Sequence, residues 1–237
     1  MRLDKLLGNM GYGTRKDIKK FAKDGLILVD GKIVKDSSTH VDPESNQIVI
    51  DGEEVIYREF VYLMMNKPNG YLSATEDNFD KTVIDLLDDI YLPFDVFPVG
   101  RLDKDTEGLL VLTNDGKMAH ELLSPKKHVP KQYFAEIEGQ VTQEDIETFQ
   151  QGVTLEDGYQ TLPAQLEIVN CASQSQIKLV IYEGKFHQVK RMFQAVGKKV
   201  TYLKRIKMGN LLLDESLSLG EYRELTTEEL SLLKMAE

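Results

Sequence analysis

Residues Gly100 to Gly116, GRLDKDTEGLLVLTNDG, hold two acids and an arginine within five positions: Arg101, Asp103 and Asp105. They form a polar stretch between an apolar approach, Phe94 to Val99, and an apolar run, Leu109 to Leu112, that reads as a buried strand. Polar loops held between rigid strands are where catalytic groups concentrate. A carboxylate there can add covalently to a substrate or balance a positive charge developing on it. The residues alone also allow a plainer role, because Asp-rich turns commonly bond their own backbone NH groups.

Two more stretches carry suitable chemistry. Lys131-Gln132-Tyr133 follows the basic residues Lys126, Lys127 and His128 and opens a predicted strand, where a tyrosine either packs or stacks on a flat ligand. Glu183-Gly184-Lys185-Phe186-His187-Gln188-Val189-Lys190-Arg191-Met192-Phe193 has a glycine suited to a sharp strand-to-helix turn. On the helix that follows, Val189, Met192, Phe193 and Val196 share one face, with Lys190 and Arg191 off it. A single histidine such as His187 near a helix start is by itself usually structural.

Together these stretches resemble the RsuA-type pseudouridine synthases, a family that acts on bacterial ribosomal RNA. The resemblance implies specific roles. Asp103, the acid of GRLD, corresponds to the family's nucleophile, and Asp105 is a neighbouring acid without that role. Tyr133, in the KxY element, would stack on the flipped uracil with its hydroxyl near the site of proton removal. Lys190, in the element resembling EGRxHQVKRM, would pair with Asp103 and steady its carboxylate, although some branches carry arginine there. Arg101 and Leu203 would border the base pocket, Leu203 lying in a stretch that resembles the family's closing strand. Lys185, His187, Gln188 and Arg191 would contact RNA or support the residues that do. Turning uridine into pseudouridine transfers no electrons and no outside group, so no cofactor is expected. The unbroken HQVKRMFQAVG run resembles the small-subunit branch, which modifies 16S rRNA; sister enzymes act on 23S rRNA.

These groups need a scaffold. Short strands and helices alternate over about 61–232 without repeats: strands near 61–65, 109–112, 133–137, 165–169, 176–182 and 202–209, and helices near 83–87, 116–123 and 187–196. Asn66-Lys67-Pro68-Asn69-Gly70-Tyr71 resembles the family's NKPxGY element, chiefly structural. The expected fold class is α+β, with a mixed, mostly antiparallel sheet flanked by helices. Ahead of it, Leu3, Leu6 and Leu7 repeat at helical spacing, and Thr14 with Asp17 forms a capping signal for a second helix. Strands at 26–29 and 32–34 flank the turn Asp30-Gly31, and a strand at 47–50 is ended by Asp51-Gly52. Short helices, a basic second helix and a VDGKIV hairpin resemble the S4 RNA-binding domain. The expected division is an S4-like module at 1–57 and a catalytic domain at 60–232, with residues 53–60 as connector.

The net charge of −10 is ill suited to RNA as a total, but its distribution is not. Residues 1–40 carry +4, residues 178–207 carry +8, and the remainder −22. Such segregation can aim two basic faces at a polyanion, with Arg2, Arg15, Lys16, Lys19 and Lys20 on the first. The expected partner is ribosomal RNA or a subunit assembly intermediate. The one cysteine, Cys171, cannot form an internal disulfide, and no Cys/His cluster has metal-ligand spacing. No apolar run reaches the roughly 20 residues of a spanning helix, and no secretory signal is legible. A cytoplasmic monomer free of the membrane is expected. A non-catalytic rRNA-binding assembly protein, the competing class, would have lost the acid, the aromatic residue or the basic partner. A metal-dependent RNA hydrolase would need clustered ligands, and the four histidines are scattered.

Overall fold

In the computed structural model, which describes residues 1–234, the chain divides into two compact units. The first comprises residues 1–61 with 87–96; the second comprises 62–86 with the chain from 97 onward.

In the first unit, helix α1 (Leu3–Asn9) turns Leu3, Leu6 and Leu7 fully inward. They meet Ile18 and Ala22 of helix α2 (Arg15–Lys23), with Ile27, Ile48 and Ile50 completing a small core. Thr14 caps α2 reciprocally: its hydroxyl accepts from the Asp17 amide at 3.3 Å, and the Asp17 carboxylate accepts from the Thr14 amide at 2.9 Å. Strands β1 (Ile27–Val29), β2 (Lys32–Ile33), β3 (Ile48–Ile50) and β4 (Glu53–Glu54) form an antiparallel sheet in the order β2-β1-β3-β4. Asp30 and Gly31 both have positive φ, the signature of a tight two-residue hairpin turn. Asp51 and Gly52 share that geometry, so the chain reverses there into β4 where a connector was expected.

The second unit is built on strands β5 (Tyr62–Lys67), β6 (Phe97–Pro98), β7 (Glu107–Thr113), β8 (Lys131–Glu138), β9 (Gln165–Asn170), β10 (Gln174–Ile181), β11 (Lys199–Met208), β12 (Leu211–Leu212) and β13 (Tyr222–Glu224). The main order is β13-β5-β7-β11-β8-β10-β9, with β6 on β7 and β12 on β11. All its ladders are antiparallel except β7 with β11, which run parallel. Helices α3 (Gly116–Leu123), α4 (Gln143–Gln151), α5 (Gln188–Ala195) and α6 (Thr227–Lys234) pack around it. The fold class is the α+β expected. The helix expected at 83–87 is a single 3₁₀ turn, Val83–Leu86. Among the described residues, no helix is long and apolar enough to cross a membrane.

The parallel pairing of β7 with β11 joins two antiparallel halves, and one glycine permits it. Gly108 stands opposite Arg205 with φ +100. A methyl carbon placed on it would lie 2.2 Å from the Arg205 carbonyl oxygen, closer than any non-bonded contact. Two further bonds close the seam: Tyr202 hydroxyl to Glu107 at 2.7 Å, and Arg205 Nε to the Leu109 carbonyl at 2.8 Å. Replacing Gly108 with alanine adds backbone strain to a main-chain collision and should cost about 3 kcal/mol or more. In a second unit of this size that lowers the melting midpoint by about 10 °C. A Gly108→Ala protein melting like wild type by circular dichroism would mean that the strands are not held this close.

Candidate active site

The loop before β7 is held largely through its own backbone groups. Val99 and Leu102 are buried at its base. The Ser73 hydroxyl accepts from the Leu102 amide and donates to the Leu102 carbonyl, each at 3.0 Å. The Gly70 amide reaches the Lys104 carbonyl at 2.8 Å, and the Thr106 amide closes a turn on the Asp103 carbonyl at 3.0 Å. Beneath the loop lies the fully buried Lys67, last residue of β5. Its ammonium donates to the carbonyls of Thr106 (2.9 Å), Pro68 (3.0 Å) and Lys104 (3.2 Å). Burial drives the Lys67 pKa down to about 8, even though the carboxylates of Asp105, Glu107 and Asp103 pull it up.

The opposing wall is the turn into α5. Glu183 anchors it, accepting from the Tyr159 hydroxyl (2.6 Å), the Leu162 amide (2.9 Å) and Gln188 Nε2 (2.9 Å). Gln188 in turn accepts from the Lys185 amide at 2.9 Å. His187 then enters the helix in the left-handed conformation, φ 48 and ψ 33, which non-glycine residues adopt rarely. One turn on, Lys190 extends its ammonium to both loop acids: 3.0 Å from Asp103 Oδ2 and 2.5 Å from Asp105 Oδ1. Burial lowers the Lys190 pKa, but its bonds and charge interactions with Asp105 and Asp103 outweigh this and raise it overall. Burial works against ionisation of Asp105 too, and the bond from Lys190 with its positive charge more than offsets it, so that pKa falls. Lys190 is therefore a cation at neutral pH. His187 Nε2 lies 3.7 Å from the other oxygen of Asp103.

Between loop and helix lies a cavity of about 70 Å³, lined by Arg101, Asp103, Thr106, Tyr133, Lys185, His187, Gln188 and Leu203 among others. Tyr133 projects from β8 and Leu203 from β11, both nearly buried. The Thr106 hydroxyl, in the wall of this cavity, is buried with no hydrogen-bond partner among the described residues. Most of the residues picked out in the sequence thus converge: Asp103, Tyr133, Lys190, Arg101, Leu203, Lys185, His187 and Gln188.

The remaining contacts are held in different ways. Gln188 is only 4 % exposed, and its amide is spent on Glu183 and the Lys185 backbone, so it shapes the turn rather than meeting the outside. Arg191 does not line the cavity; its guanidinium is bound by Glu156 (3.1 Å) and Asp157 (2.6 Å). Arg2, Arg15, Lys16, Lys19 and Lys20 are exposed on the first unit, Arg2 already paired with Asp4 at 2.6 Å. In the sequence Lys67 belongs to an element that is chiefly structural, and no motif links Asp105 to Lys190. The available signal for the first is a lysine at the end of a strand whose run Leu63-Met64-Met65 is buried.

Chemically, the site offers a carboxylate braced by a cation, an aromatic ring bearing a hydroxyl, and an aliphatic wall. Among the described residues no three of His, Cys, Asp and Glu converge to hold a metal ion.

Comparison with known proteins agrees in kind. Residues 61–195 match the family described as RNA pseudouridylate synthase, and residues 1–46 match the S4 domain. The chain is similar to the Uncharacterized RNA pseudouridine synthase YtzG of Bacillus subtilis (strain 168), 57% identical with 98% of each chain covered. It is 42% identical to the Ribosomal small subunit pseudouridine synthase A of Vibrio parahaemolyticus serotype O3:K6, with 97% of each covered. Among solved structures it is similar to one described as a crystal structure of pseudouridylate synthase: TM-score 0.69, 36% identity, 98% of this chain and 99% of that one covered.

The depressed Lys67 pKa has a measurable consequence. Its folded value near 8 lies below the ordinary 10.5, so between those values the unfolded chain binds a proton that the folded chain has lost. Stability from this group therefore rises with pH across that window. The stability of wild type relative to Lys67→Met should grow by roughly 3 kcal/mol from pH 8 to pH 10.5 in denaturant titrations. A difference independent of pH would show that the ammonium is not buried as described.

Proposed function

The chain belongs to the RNA pseudouridylate synthase family, and we propose that it isomerises a uridine of 16S ribosomal RNA with Asp103 as the nucleophile. The observation that carries this reading is the Lys190 ammonium, 3.0 Å from the Asp103 carboxylate at the mouth of a cavity lined by Tyr133. The reaction cleaves the C1′–N1 bond, turns the uracil and joins C5 to C1′. The proton leaves C5 and N1 gains one, so the product is an isomer and needs no cofactor. Asp103 supplies the electron pair or the negative charge that the first cleavage requires. Lys190 holds that carboxylate through the 3.0 Å contact, a positioning role. Tyr133 stacks on the flipped base and brings its hydroxyl to the C5 proton. Arg101 and Leu203 border the base, the first at the exposed rim and the second in the wall.

We further assign residues 1–57 to an S4-like RNA-binding module and 60–232 to catalysis. The exposed cations Arg15, Lys16, Lys19 and Lys20 of α2, with Lys185 and His187 beside the site, would hold the RNA backbone without reading much sequence. Arg2 would join them on giving up Asp4. The choice of 16S over 23S rRNA rests on the small-subunit name carried by relatives such as the Vibrio protein. The substrate is naked rRNA or an assembling subunit, met by a cytoplasmic monomer.

The test is tritium release from rRNA whose uridines are tritiated at C5. Wild type should release tritium from 16S rRNA, and Asp103→Asn should lose about a thousandfold or more of that rate. Asp105→Asn removes only an exposed arm of the Lys190 contact and should stay within about tenfold of wild type. Release from 23S rRNA alone would move the substrate assignment. Release from neither, nor from partly assembled subunits, would leave a non-catalytic rRNA-binding protein as the better reading.

A further inference from the structure

Phe186 stands beside the candidate active site with 74 % of its surface exposed. Isolated exposed apolar side chains are ordinary and need no explanation. Phe186 differs in how it is held. Its ring is stacked on the His187 imidazole, centroids 3.8 Å apart and planes 19° from parallel. That imidazole sits 3.7 Å from Asp103, on a backbone kept left-handed. The turn beneath is braced by the Glu183–Gln188 and Gln188–Lys185 bonds, and the Phe186 carbonyl also accepts from Arg191 Nη1 at 3.4 Å. A rigid turn therefore presents a flat aromatic surface to water, one residue from a side chain touching the Asp103 carboxylate.

The chemistry around it narrows what would cover such a surface. Lys185 precedes it, with an ammonium 4.7 Å from the centre of the Tyr159 ring; Lys185 and the exposed Arg101 line the same cavity as His187, and Lys190 holds the Asp103 that His187 approaches. A planar apolar face with Lys185 next to it in sequence and Arg101 in the neighbouring cavity wall fits a ligand that is itself planar on its faces and anionic along its edge. Nucleic acid has that pattern: bases stack on aromatic rings whatever their sequence, while phosphates meet the cations. Resting on the function proposed above, we propose that the Phe186–His187 stack is a platform for the base next to the target uridine. A base lying there has left its own stack, which lowers the cost of extruding its neighbour toward Asp103. The substrate uridine must then have an unpaired neighbour, so the favoured RNA is a single strand, loop or bulge rather than a continuous duplex.

The chain contains no tryptophan, so Phe186→Trp creates a single indole reporter at this spot. Its fluorescence should be quenched by oligouridylate and left unchanged by inorganic polyphosphate, which offers charge without bases. Phe186→Ala and Phe186→Leu should each weaken oligouridylate binding about 5- to 150-fold, whereas Phe186→Tyr should bind like wild type. In the tritium assay the alanine variant should raise KM and leave kcat near wild type. Equal quenching by polyphosphate, or unchanged binding by Phe186→Ala, would overturn the platform. Failure of the enzymatic reading looks different: wild type would release no tritium while the indole was still quenched by oligouridylate.

Discussion

The second unit depends on two strands approaching closely enough for one backbone to lie against another without a side chain between them. Gly108 allows β7 to meet β11, and the meeting is parallel within a sheet that is otherwise antiparallel. Parallel pairing sets the segments that lead into the two strands on the same side of the seam. One of those segments is the loop carrying Asp103 and Asp105; the other contains α5 with Lys190. An antiparallel join would send them to opposite ends and leave the carboxylate without its cation. The contact between Asp103 and Lys190 is thus a product of sheet topology before it is a product of side-chain chemistry.

Given that placement, a single ammonium serves two acids, and the environment decides how well. The Lys190 side chain is about one-quarter exposed and that of Asp103 similar, while that of Asp105 is largely in water. Coulomb attraction is therefore damped least between the two groups nearest the cavity. A lysine supplies up to three hydrogens in freely chosen directions and can satisfy two acids that a planar guanidinium would have to approach edge-on. Lys67 solves a different problem in the same loop. It collects three carbonyl oxygens that face inward, and a buried carbonyl left without a donor is costly.

Much of the scaffold could be read directly from local pattern. The leucine spacing of α1, the Thr14–Asp17 cap of α2 and the Asp30-Gly31 hairpin are each decided within a few residues, and each stands where it was expected. Two further elements carry the same signals without an apolar pattern to mark them. Thr142 and Asp145 cap α4 just as Thr14 and Asp17 cap α2, and Asp51-Gly52 turns the chain into β4 as Asp30-Gly31 turns it into β2. Helix α4 hid because its sequence, QEDIETFQQ, is mostly polar and buries little beyond Asp145 and Phe149. The candidate site was legible only through its resemblance to known motifs. No periodicity links Asp103 to a lysine 87 positions later, and nothing near Lys67 reveals that carbonyls up to 39 residues away will close over it.

The place of β11 has a consequence for how the protein is made. It lies in the middle of the sheet, between β7 and β8, yet both of those strands are synthesised well before it. A ribosome that has released residues up to about 190 has therefore exposed two strand edges, on β7 and on β8, with their backbone groups waiting for a strand not yet translated. Open edges of this kind invite pairing with other chains. The nascent protein is most vulnerable just before β11 emerges, and the last strand into the middle of the sheet both closes that gap and ties the two halves of the second unit together.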